Sequence, residues 1–153
     1  MCEGWGKRMK MLIDTNRVMA ALGKTYEGLY KLPVLGDPLV RGINRGIARM
    51  NFNGPLIRRK RHETIESFKA DFMRLIDMMK VPIEIIKGTE GPDGFEFYVH
   101  SCPYGFHRRD QQGVCDAAMD MDRLIFRLMG AELEIKESVV KGAPKCRMLM
   151  HKI

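Results

Sequence analysis

An α+β fold is expected from three features of this 153-residue chain. Apolar residues recur at helical spacing as far as about residue 80, the pattern turns to alternation after Pro82, and Gly- and Pro-rich loops then join alternating runs in pairs. Helices with one apolar face and strands with one apolar side bury them against each other, which predicts N-terminal helices packed on an antiparallel sheet.

Trp5, Met9, Leu12, Met19, Leu22, Tyr26 and Leu29 predict an amphipathic helix over about 5–30, ended by Leu32-Pro33-Val34-Leu35-Gly36. Asp37 as N-cap and Pro38 at the first helical position predict a second, continued by Leu39, Ile43, Ile47 and Met50 to Asn51 and stopped by Asn53-Gly54-Pro55. Ile65, Phe68, Phe72, Leu75 and Met79 share one face of a third, over 63–79. Residues 83–87 and 95–99 alternate as strands around the loop 88–94. A fourth helix is expected over 113–129, with Val114, Ala117, Ala118, Met121, Leu124, Ile125 and Leu128 inward and Gly130 closing it. The last hairpin pairs 133–136 with 147–150 around Gly142-Ala143-Pro144, so the C-terminal unit reads β-β-α-β-β.

The chain reads as a single domain, 1–153, long enough to bury a sizeable core. No apolar run approaches the roughly 18 residues of a membrane span, and no secretory signal is recognisable, so a cytoplasmic protein without a membrane partner is expected. Disulfides are uncommon in that compartment, and the four cysteines therefore point to metal binding or catalysis. Cys2, near a terminus, reads as a bystander. Net charge is +7, and its source is the helical part: residues 1–80 carry 16 Lys and Arg against 8 Asp and Glu, whereas 81–153 are near neutral.

Cys102, Cys115 and Cys146 each fall at the end of an expected element, where distant residues can meet at one sheet edge. Three soft ligands on one point would hold zinc or an iron–sulfur cluster of the 4Fe–4S type with a position left open for substrate. The first-turn place of Cys115 is expected to favour its thiolate through the positive helix end. His100, His107 and Asp116 are candidate fourth ligands, with His107 nearest in a loop. Against this stands the plainer reading that free cysteine is a common small core residue.

The run Cys102-Pro103-Tyr104, Gly113-Val114-Cys115-Asp116 with Asp120, and Gly142-Ala143-Pro144-Lys145-Cys146 before a final strand resembles the C-terminal part of the L-2-amino-thiazoline-4-carboxylic acid hydrolase-like family. It is also similar to the 4-vinyl reductase domain, a ligand-sensing module with metal-binding cysteines. The likeness covers about residues 80–153. It implies either hydrolase or lyase chemistry on a small sulfur heterocycle or a metal-dependent ligand sensor.

Asp116 and Asp120 stand at i and i+4, with Arg123 in reach to relieve their repulsion. The alternative for Asp120 is a general base acting on water near the cysteines. His62 and His151 read as surface residues, and Met73, Met79, Met121 and Met129 as core filling. Arg41, Arg45 and Arg49 form a stripe followed by Arg58-Arg59-Lys60-Arg61, which could hold an anionic substrate or phosphates. No nucleic-acid-binding motif or aromatic interleaving accompanies them, so a solvated face is expected rather than a nucleic-acid partner; a regulator contacting nucleic acid through this half is the competing class. The expected partner is a small-molecule substrate or ligand, and a homodimer is left open.

Overall fold

The computed structural model describes residues 15–55 and 57–153. Cys2, and the stretch of the first expected helix that holds Trp5, Met9 and Leu12, lie outside them. The elements follow in the order α1 (Thr15–Tyr30), α2 (Gly36–Asn53), α3 (Ile65–Met79), β1 (Ile83–Ile85), β2 (Gly94–Val99), α4 (Gln112–Ala118), α5 (Asp120–Met129), β3 (Ala131–Glu137) and β4 (Cys146–Lys152). The architecture is α+β, with a four-stranded antiparallel sheet in the order β1-β2-β4-β3.

Alternation in β2 turns Phe95, Phe97 and Val99 inward, and pairing with β4 sets Met148 and Met150 beside them on the same face. Helix α3 covers that face with Phe68, Phe72 and Ile76; the Phe72 ring lies 5.2 Å from Phe97 and 5.7 Å from Phe95. A second cluster joins α1, α2 and α4 through Tyr26, Val40, Val114, Ala117 and Ala118, together with Tyr104 and Phe106 of the loop after β2. Within it the Tyr26 hydroxyl donates to Asn44 Oδ1 at 2.8 Å, and Asn44 Nδ2 donates to the Val40 carbonyl at 2.9 Å, so this buried polar pair is satisfied.

Three expectations need correction. Asp37 is not the N-cap of α2, which starts at Gly36; its carboxylate accepts instead from Arg41 Nε at 2.9 Å. The helix expected over 113–129 is two helices bent at Met119 (φ −66°, ψ −9°), with Asp120 and Asp122 then lying in a new first turn where the helix dipole favours acidic groups. His62 is buried, not at the surface: its N–H donates to the Met129 carbonyl at 2.8 Å, its ring packs edge-on to Phe68, and desolvation lowers its pKa. That contact needs the chain to turn sharply after α5. Gly130 provides it at φ 102°, where a Cβ would lie 2.6 Å from the His62 carbonyl oxygen.

Candidate functional site

The loop that carries Cys102 is seated by backbone contact. A Cβ on Gly23 of α1 would stand 2.0 Å from the Tyr104 carbonyl oxygen, so only glycine lets the helix and the Cys102-Pro103-Tyr104 turn approach this closely. Tyr104 and Phe106 then anchor the turn in the second core cluster, stacked with centroids 5.7 Å apart. The turn is closed by the Gly105 N–H donating to the Cys102 carbonyl at 3.0 Å, and the backbone N–H groups of Phe106, Tyr104 and Gly105 lie near enough to favour a Cys102 thiolate electrostatically.

Cys115 comes from the middle of α4, and Cys146 from the first position of β4, paired with Val99 and accepting from the Val139 N–H at 3.5 Å. The three are free thiols, each partly buried. They come from three separate elements and meet within electrostatic reach of one another: Cys115 feels both of the others, and Cys102 feels Cys146. Among the described residues no group of three or more His, Cys, Asp or Glu stands in the geometry of a metal site, so the thiols converge on a region without closing on a point.

The expected preference of Cys115 for its thiolate is reversed. Burial pushes its thiol up to about 12, with Cys102, Cys146 and Asp116 adding to the rise and Arg123 opposing it. A short helix end contributes fractions of a kcal/mol, whereas loss of solvation contributes several. Burial also raises the Cys102 thiol, against the pull of its three backbone N–H groups.

The carboxylates are tied into an ionic cluster linking α2 to α4 and α5. Arg41 donates to Asp120 Oδ1 at 2.9 Å and to Asp116 Oδ2 at 2.8 Å, Arg45 reaches Asp120 Oδ2 at 2.9 Å, and Arg123 donates to Asp116 Oδ1 at 2.7 Å and lies 3.5 Å from Asp120. Burial opposes ionisation of Asp116, but Arg41 and Arg123 hold its carboxyl below the usual range. Both oxygens of Asp120 face guanidinium groups, which favours its ion-pair role over that of a base. The same contacts occupy two members of the arginine stripe, and Arg49 alone stays exposed without a partner among the described residues. His107 is exposed in its loop; its Nδ1 donates to the Gly105 carbonyl at 2.9 Å in the neutral ring, leaving Nε2 with its lone pair outward. His100 is 3.0 Å from Glu84.

Beside the thiols opens a polar pocket of about 500 Å³, lined in part by Cys115, Asp116, Arg123, Ser138 and Lys141. Exposed Lys141 has no ion-pair partner among the described residues and offers the pocket a free cation. Asp122 escapes sequence reading, and Tyr104 enters it only within the run Cys102-Pro103-Tyr104 with no role of its own. Asp122 is four residues after Ala118 and three before Ile125, on the apolar face of its helix, and a carboxylate there is the signal that would have found it. No protein-family model matches the chain, and no curated protein matches it.

Proposed function

We propose that this chain is a small-molecule-binding protein whose three thiols, Cys102, Cys115 and Cys146, hold a soft metal ion or an iron–sulfur cluster, and that it opens a small sulfur heterocycle hydrolytically. The observation that carries the reading is that three unpaired cysteines from a loop, a helix and a strand share one electrostatic neighbourhood while the polar pocket runs up to one of them. The donor chemistry fits: thiolates are the preferred ligands of zinc and of iron–sulfur centres, and the nearby backbone N–H groups of the Cys102 turn favour a thiolate there. His107 through Nε2 is the freer candidate for a further donor, since both Asp116 oxygens are engaged by arginine.

Such a group, bound with one position open, supplies a Lewis acid. The chain itself would supply orientation. Arg123 and Lys141 at the pocket wall suit an anionic group on the substrate, in keeping with the resemblance to hydrolases of thiazoline carboxylates. In hydrolysis of such a ring, water gives its hydroxyl to the ring carbon and its proton to the departing sulfur.

Oxygen-free purification followed by metal and acid-labile sulfide analysis tests the proposal. The wild-type chain is expected to hold metal, and Cys102→Ser, Cys115→Ser and Cys146→Ser each to lose most of it while keeping the wild-type circular dichroism, because serine is a poor soft-metal ligand. Wild-type metal content in all three variants, or none in the wild type, overturns it.

A further inference from the structure

A second cavity, distinct from the polar pocket, lies where the two core clusters meet. It is partly open to solvent with a volume of about 300 Å³, and its wall is apolar except for Tyr104, Asp122 and the exposed Asn51 at its rim. Tyr104 is 5% exposed, and its hydroxyl has no hydrogen-bond partner. Buried tyrosine hydroxyls ordinarily find one, so this phenol is poised for an atom that the protein does not itself provide. Asp122 makes no hydrogen bond or ion pair among the described residues, and it lies within electrostatic reach of Tyr104. Two polar groups without protein partners, Tyr104 buried and Asp122 half-buried, line the same otherwise apolar cavity and form a recognition pair.

The size and chemistry of the cavity restrict its occupant. An apolar cavity of about 150 Å³ takes one benzene ring, so twice that volume takes two fused rings. An anion would be set against Asp122, and a protonated amine would leave donors unpaired among methionine, isoleucine and phenylalanine side chains. We propose that this cavity binds an uncharged bicyclic molecule presenting a hydrogen-bond donor beside an acceptor, as in a lactam or a fused azole, with the donor directed to the Asp122 carboxyl and the acceptor to the Tyr104 hydroxyl. The site goes beyond the thiol reading and does not depend on it; among the described residues no cysteine lines this cavity.

Calorimetric titration of the whole chain with 2-quinolone, naphthalene and 2-naphthoate tests this. The lactam 2-quinolone is expected to bind, naphthalene at least about tenfold more weakly, and 2-naphthoate not measurably. Tyr104→Phe, which keeps the ring in the core, should weaken 2-quinolone about tenfold and change naphthalene less than about twofold, the loss of one hydrogen bond. Cys146→Ser should leave 2-quinolone affinity unchanged whatever happens to its metal content, which separates failure of this site from failure of the thiol site. Absence of 2-quinolone binding, indifference to Tyr104→Phe, equal binding of 2-naphthoate, or loss of binding in Cys146→Ser overturns the assignment.

Discussion

Replacing Asp122 by Asn should stabilise the protein at neutral and alkaline pH and leave it unchanged in acid. Burial in the apolar cavity raises the Asp122 pKa from 3.8 to about 7, and Arg123 offsets only part of the effect. A group raised in the folded state binds more protons folded than unfolded between those two values, so stability falls as pH rises through that window. The slope is about 1.4 kcal/mol per pH unit, and the full interval corresponds to about 4 kcal/mol. The other ionisable groups that interact with Asp122 do not change charge in this range: Tyr26 and Tyr104 are both raised above 10, mainly by burial with the Asp122 charge adding to each, and arginine stays charged. Urea unfolding of wild type and Asp122→Asn from pH 4 to 8.5 measures the difference directly. It is expected to be near zero at pH 4, to grow through pH 5–7 and to level off at roughly 4 kcal/mol above pH 8. A difference that stays within about 1 kcal/mol across the whole range would show that Asp122 is not desolvated as the fold implies.

Arg41→Gln should cost about 2 kcal/mol, because it strips charge-assisted bonds from Asp37, Asp116 and Asp120 at once, whereas Arg49→Gln should stay within about 0.5 kcal/mol; equal effects in urea titrations would contradict the ionic cluster. Gly23→Ala forces a Cβ against the Tyr104 carbonyl and should cost about 1–3 kcal/mol by overpacking. The same change should speed alkylation of Cys102 by loosening its turn, and an unaltered rate would separate α1 from the thiol site. Duplex DNA and RNA should show no measurable binding at low salt, since Arg41 and Arg45 are already neutralised within the protein. Binding with a steep salt slope that Arg41→Gln flattens would restore the nucleic-acid reading.

The amino-acid sequence by itself determined the elements and their kind. Helical spacing of Ile65, Phe68 and Phe72 and alternation of Phe95, Phe97 and Val99 are local patterns, set by the geometry of each element, and they led directly to α3 on the sheet, although the buried face continues through Ile76 rather than Met79. Of the three cysteines expected at element ends only Cys146 stands at one, the first position of β4; Cys115 is in the middle of α4 and Cys102 in the loop beyond β2. What only the tertiary structure decided depends on contacts between residues far apart in the chain. Arg41 meets Asp116 and Asp120 across 75 and 79 residues, which turned an apparent anion-binding stripe into an internal ionic cluster. The charge preference of Cys115 was set by desolvation rather than by its own helix, and that too is a property of its surroundings. The cavity belongs wholly to this second class: Tyr104 is a loop tyrosine and Asp122 one of several acids on a helix, until the meeting of two core clusters buries the first, half-buries the second and sets both in the wall of one cavity.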